Sequence, residues 1–337
     1  MLLTGLFPIV ASVLLAVGGG SLGRRLPPAL AAPLLTALAL ATALATGLVL
    51  CLAAFSALAR LPLVAAAGGW SLATWRPLDQ LPPAIGLVAG GAAAILLAAA
   101  FTQLACSARQ LLLAARACRQ LTSGHDRLVI TGDERPTAYT VPALPGAIVV
   151  SAGMLRLLSA GERRALLAHE AAHLRHRHAA YVLLSQLAAA ANPLLRPLAS
   201  SVRLAVELWA DQAAADEVGD GALVARAVAR ASLAASHHRD GRGIALAMGE
   251  SDIAIRVGAL LDRRARPARS RTAAAAAVAL TLACGLTAAT LTLAVHERIE
   301  LAQLSYARAH DGQLAVPPGQ LPSGPDQARR AQPGETA

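Results

Sequence analysis

Four long stretches of the chain carry no charge, residues 1–23, 26–59, 80–108 and 272–295, whereas most of the charge lies between 109 and 271. Each uncharged stretch reaches the roughly 20 apolar residues that take a helix across a hydrocarbon core of about 30 Å. The pattern predicts four transmembrane helices, at about 1–23, 29–59, 83–106 and 272–295. A water-facing segment, 107–271, separates the third from the fourth, and a tail, 296–337, follows. The first stretch lacks a basic start and ends on Gly18-Gly19-Gly20 and Arg24-Arg25, which favours an uncleaved span over a signal peptide. These glycines and Gly90-Gly91 match no phosphate-binding loop and suit close helix packing in lipid.

Inside the polar middle the periodicity changes. Arg109 to Arg119 continues the third helix, and Thr, Ser and Gly between Leu121 and Asp126 break it. Strand-like runs follow at Leu128–Thr131, Tyr139–Val141 and Ala147–Ser151, and helical spacing takes over beyond Gly153. The expected fold is a mainly α membrane protein with four transmembrane helices and an α+β domain, 107–271, that carries a small sheet. Ala147–Ser151 is expected to be an exposed edge able to pair with an extended peptide. The 296–337 tail is expected to be external and disordered, being rich in Pro, Gly, Gln and Ser after Leu314.

Composition agrees: 55% of the 337 residues are hydrophobic, 15% are charged, and mean hydropathy is +0.52. A soluble globular protein is excluded. The net charge of +10 comes from arginine alone, with no lysine, and a pI near 10.9 would by itself suggest nucleic acid. Its distribution argues against direct nucleic-acid binding. Arg24 and Arg25 follow the first span, Arg109, Arg116 and Arg119 the third, and Arg263, Arg264, Arg266, Arg269 and Arg271 precede the fourth. Arginine at helix ends marks the cytoplasmic side, so 107–271 is expected in the cytoplasm of a multi-pass cell-membrane protein. Trp70 and Trp75 then stand where an aromatic belt at the opposite interface belongs. Cys51, Cys106, Cys118 and Cys284 form no CxxC pair and read as small packing residues.

Chemistry concentrates between Ala165 and His178. Ala, Leu and Glu favour a helix there, with no Gly or Pro from Glu162 until Pro193. His169 and His173, four residues apart, share one face and can meet at a single ion. Glu170 lies about 100° round from His169, placed to act as catalytic base on water and not as a ligand. That is the HExxH zinc pattern. A catalytic zinc needs a third protein ligand and an open position. Glu207 is the candidate ligand, and Asp211, one turn further on, is the candidate acceptor for the free N–H of a ligating histidine. His176 and His178 alternate with Arg175 and Arg177 and read as surface groups at a helix end. His237 and His238 precede a Gly-rich loop and are candidate oxyanion donors.

Pro145 to Ser151, Ala168-His169-Glu170, Asn192-Pro193-Leu194 and Glu207-x-x-Ala210-Asp211 resemble the membrane metallopeptidases of the BlaR/MecR sensor type, gluzincins related to HtpX and the CAAX-prenyl proteases. The resemblance covers about 107–262 and the layout of the surrounding spans. It implies peptide hydrolysis, one zinc per chain, and His169, His173 and Glu207 as ligands. Arg256 resembles an arginine of that family's distal helix, with an ion pair and a catalytic role both open. His178 stands where the sensors carry Asp, as in the HtpX pattern, while the single apolar stretch Ala179–Leu195 is sensor-like. The tail is too short for a penicillin-binding domain, so β-lactam sensing is not expected. The expected function is an integral-membrane zinc endopeptidase acting on cytoplasmic or membrane-associated proteins or peptides, with a transcriptional repressor as one substrate class. Alternatives are an HtpX-like quality-control protease and a non-catalytic metal-binding signalling protein. Glu170 argues against the latter, since a structural zinc needs no base. A transporter is disfavoured because no span carries an ionisable residue in its middle.

Overall fold

The computed structural model describes residues 2–79, 81–121, 128–142, 146–237, 243–262 and 271–314. In chain order the elements are α1 (Leu2–Arg24), α2 (Pro28–Leu58), α3 (Pro62–Gly68), α4 (Leu72–Leu78) and α5 (Pro83–Leu121), then strands β1 (Leu128–Thr131), β2 (Ala138–Val141) and β3 (Ala147–Ser151). Seven helices follow: α6 (Ala152–Leu157), α7 (Ala160–Arg175), α8 (His178–Ala191), α9 (Arg196–Val218), α10 (Gly221–His237), α11 (Gly243–Leu261) and α12 (Arg271–Leu314). A single 3-10 turn, Pro193–Leu195, joins α8 to α9.

Among the described residues, α1, α2, α5 and α12 are long and apolar enough to cross a membrane. Leu14, Val17, Leu44, Val88, Ile95, Phe101 and Leu282 stand exposed along them. Such a surface suits lipid and not water, which fits a multi-pass membrane protein. Small residues let the spans approach. A Cβ at Gly86 of α5 would lie 2.5 Å from the Ala53 carbonyl oxygen of α2, and one at Gly90 would lie 3.2 Å from the Ala54 Cβ. In α1, Gly19 and Gly23 perform the same service, against Leu198 and Ser201 of α9.

Two expectations fail at the end of the molecule away from Arg24. The polar segment after residue 295 is helical to Leu314, not disordered, because its Ala, Leu, Glu, Gln and Arg residues are helix formers and no Gly or Pro interrupts it before Gly312. Residues 315–337 lie outside the described structure. Trp70 and Trp75 do not form an outward belt: they are 8% and 2% exposed and pack with Phe55, Ile299 and Ala302. The extension of α12 covers them, with Ala302 O accepting from Ser71 N and Gln303 Nε2 donating to Gly68 O.

The sheet has the order β1-β3-β2, parallel between β1 and β3 and antiparallel between β2 and β3. Ala147–Ser151 is therefore the central strand, correcting its reading as an exposed edge. Its five residues alternate too little for a one-faced strand, with Ala147, Val149, Val150 and Ser151 all buried, as expected of a strand paired on both sides. Ser151 closes β3 and opens α6, its hydroxyl accepting from Met154 N and Thr137 N. Gly153 is required by packing, since a Cβ there would lie 2.0 Å from the Glu134 carbonyl oxygen. The sheet packs on α7 through Val150, Met154, Leu158 and Leu166.

A capping box starts α7: Ser159 Oγ accepts from Glu162 N, and Glu162 Oε2 accepts from Ser159 N at 2.9 Å. The helix does not continue to Pro193. It ends at Arg175, and Arg177 adopts φ 53°, a left-handed conformation unusual for a residue with a Cβ. The bend turns α8 back toward the spans. Ala188 of α8 and Leu195, Leu198, Val202, Ala205 and Val206 beyond it share one core with Leu15, Leu35, Leu38 and Ala39 of α1 and α2 and with Ala273 and Ala277 of α12. Segment 107–271 is thus not a separate water-facing body, because its α8–α9 hairpin is packed among the spans.

Candidate metal centre

Helix α7 carries His169, Glu170 and His173, α9 carries Glu207 and Asp211, and α11 brings Arg256 alongside. The sequence candidates converge. His169 Nε2 and His173 Nε2 are 3.0 Å apart, and the Glu207 carboxylate oxygens lie 3.6 and 3.7 Å from them. All three ligand atoms fall within 4.8 Å of one another. Tetrahedral zinc with bonds near 2.0–2.1 Å holds its ligand atoms about 3.3 Å apart. The 3.6 and 3.7 Å contacts are made by different oxygens of Glu207, so the donor set fits once that carboxylate turns one oxygen toward both histidines. Two histidines and one carboxylate leave one position free.

Behind the histidines stands a layer of polar partners. His169 Nδ1 lies 2.9 Å from Asp211 Oδ1, approached obliquely to the ring N–H. Arg256 grips both oxygens of Asp211, at 2.7 and 2.8 Å, and its remaining nitrogen is 3.1 Å from Glu207 Oε2. This bidentate grip opposes the cost of burying Asp211, which is 1% exposed. Burial would raise the Asp211 carboxyl, but the bonds from Arg256 and His169 outweigh it and hold the pKa at about 2. For His169, burial disfavours the charged ring, yet the Asp211 contact prevails and raises its pKa. Burial and the neighbouring His169 push His173 down to about 3. That ring is neutral at physiological pH, as a metal ligand must be. Burial raises the Glu170 carboxyl above the ordinary range.

His178 corrects the sequence reading. It is 1% exposed, not a surface group, and its Nδ1 lies 3.0 Å from His173 Nδ1. The left-handed Arg177 makes this possible, since a continuous helix would turn the two side chains apart. His176 stacks on Trp209, ring centroids 4.5 Å apart, and Trp209 also flanks His178 at 4.8 Å. Arg256, left open by the sequence, is the ion-pair centre of the site. The only advance signal for either was family resemblance at those positions. The side chains of His237 and His238 lie outside the described residues.

Glu170, His169, His173 and Glu207 line a cleft of about 760 Å³ together with Thr137, Ala138, Tyr139 and Thr140. The strand beside the metal site is therefore β2. Ser151 N donates to Thr137 O. Continuing the antiparallel alternation from that pair, Ala138 and Thr140 turn their N–H and C=O away from β3, toward the free edge.

Comparison with known proteins matches one family description, Peptidase family M48, over residues 99–333. No curated protein and no solved structure matches. The match includes every residue of the centre and covers more than two thirds of the sequence. It carries nothing specific to the antibiotic-sensor type. The chain belongs to peptidase family M48, and its membership makes it a metallopeptidase.

Proposed function

We propose that the protein is an integral-membrane zinc endopeptidase in which His169, His173 and Glu207 hold one zinc ion and Glu170 is the general base. The convergence of three ligand atoms beside a buried glutamate carries this reading. Bound zinc supplies Lewis acidity, lowering the pKa of a coordinated water toward about 7 and polarising the substrate carbonyl. Glu170 accepts the proton of the attacking water at a carboxylate oxygen and delivers it to the departing amine nitrogen. Asp211 and His178 hold the Nδ1–H of His169 and His173, which leaves each Nε2 lone pair facing the ligand position. Arg256 fixes the Glu207 carboxylate and balances its charge. The purified protein in detergent is expected to cleave an unfolded protein. Chelation should abolish this activity and zinc should restore it, while activity indifferent to chelation would rule the reading out.

Substrate binding follows from the position of β2. An extended peptide pairing with Ala138 and Thr140 is held through its main chain, with little regard for its sequence, which supports broad or unfolded substrates over a single repressor. Proline at an edge strand is tolerated where its N–H faced outward. Thr140→Pro is expected to keep the fold and metal content while raising KM for peptide cleavage at least about 10-fold, the equivalent of one hydrogen bond of about 1.4 kcal/mol. An unchanged KM would exclude β2 as the binding strand.

The arginine distribution supports a cytoplasmic metal centre. A topology reporter joined after Arg119 is expected to report the cytoplasm and one at Gly69 the exterior. The reverse pattern would invert the molecule.

A further inference from the structure

Residues Ala179 to Leu195 contain no charged side chain, yet helix α8 has only 14 residues, too few to cross a bilayer. A predominantly apolar helix of this length fits a buried core element or a re-entrant one. The turn that follows decides between them. Asn192 is 4% exposed, and its Nδ2 donates to Ser12 Oγ of α1 at 2.7 Å and to Thr46 Oγ1 of α2 at 3.4 Å. Its own Oδ1 accepts from Leu194 N, its N–H reaches Ala188 O, and its carbonyl accepts from Leu195 N. The non-helical backbone at the tip is thus satisfied within the protein, the condition under which such backbone can exist at membrane depth. Both partners of the Asn192 amide lie well inside helices long and apolar enough to cross a membrane.

Two helices measure the depth independently. Along α1, Ser12 lies about 18 Å from Arg24 at 1.5 Å per residue. Counting the Pro193–Leu195 turn together with α9, Asn192 lies about 13–15 Å from Ser201, and Ser201 packs beside Gly20 and Gly23 at the level of Arg24. The tip therefore sits roughly 13–18 Å below the arginines, near half of a core of about 30 Å. Arg196, exposed near the start of α9, is only about 8 Å below Ser201, within reach of the headgroups for a long side chain. Glu207 lies about 9 Å beyond Ser201 on the aqueous side.

We infer that α8, the Pro193–Leu195 turn and the first part of α9 form a re-entrant hairpin that enters the bilayer to about half its depth, pinned by Asn192 to Ser12 and Thr46, and that the metal centre consequently opens at headgroup level. Resting on the peptidase reading, this identifies the substrate class as an extended segment lying within a few residues of a membrane anchor. A peptide bond far out on a soluble domain is reached only by a long tether.

The hairpin is tested by nitroxide labels at Leu194, Leu184 and, as an aqueous control, Leu157, all exposed side chains. The labels are placed in protein lacking Cys51, Cys106, Cys118 and Cys284 and reconstituted into vesicles of phosphatidylcholine and phosphatidylglycerol. Leu194 is expected to be protected from a water-soluble nickel chelate and accessible to oxygen, with Leu184 shallower. Chelate access at Leu194 equal to that at Leu157 would overturn the hairpin. The opening is tested on unaltered protein with one peptide joined to a transmembrane anchor by a spacer of about 5 or about 40 residues. Five residues reach at most about 17 Å, which suffices only if the site lies at headgroup level. Cleavage of the short-spacer substrate at a rate within about 10-fold of the long one is expected. Cleavage of the long one alone would overturn the placement, and cleavage of neither would count against the peptidase reading while leaving the label result standing.

Discussion

Glu170→Gln is expected to keep its metal and to cleave an unfolded protein at least about 100-fold more slowly than the parent, the lower end of what a general base contributes. Glutamine preserves size and hydrogen bonding in a position only 8% exposed, so the fold has no cavity or clash to accommodate. It cannot take a proton from water. Metal content by elemental analysis and turnover measured on the same sample separate the roles. Equal loss of both would make Glu170 a ligand or a determinant of the fold. Undiminished turnover would remove it from the chemistry.

The second large effect is expected on stability. Arg256→Met should destabilise the protein by about 3–5 kcal/mol, because it strands the buried Asp211 carboxylate without its bidentate partner. It also leaves Glu207 without the contact at 3.1 Å that fixes its orientation, so zinc retention should fall along with the thermal midpoint. Removing the stranded charge as well, in Asp211→Asn with Arg256→Met, should recover part of the stability and not the zinc affinity. The reason is that His169 would then lack a carboxylate at Nδ1. A single variant as stable as the parent would mean that water reaches Asp211 and that the pair is not buried in solution.

What was legible in the sequence follows from which physics is local. The four spans could be read because hydrophobic runs of sufficient length have one main solution in lipid, and the three strands because β-branched runs were bounded by Gly and Pro. His169, Glu170 and His173 could be read because helix geometry alone places them. Glu207 and Asp211 rested on their one-turn spacing together with family resemblance, since nothing local says which acidic residues of α9 turn toward α7. The sheet order was hidden because strand pairing is a long-range choice, and β3, the last of the described strands, lies between the two earlier ones. His178 was misread because no Gly or Pro announces the reversal at Arg177, whose left-handed conformation is imposed by the packing of α8 and not by its own preference. The inward-facing tryptophans were misread for a similar reason. A belt and a plug have the same composition, and only the covering helix distinguishes them.

The shared core of α1, α2, α8, α9 and α12 bears on how the molecule is divisible. The matched region begins at residue 99, which invites excision of everything before it as a mere anchor. Yet Leu15, Leu35, Leu38, Ser12 and Thr46 are the surface on which the α8–α9 hairpin, which carries Glu207, is seated. Their partners are about 150–180 positions away in sequence, so the nascent chain must keep that seat vacant until α8 and α9 have been synthesised. A fragment starting at residue 99 would be a hairpin without its seat, with Leu195, Leu198 and Val202 bared to solvent. The helices α1 and α2 are thus part of the packing that holds the metal centre in place, and not a mere anchor.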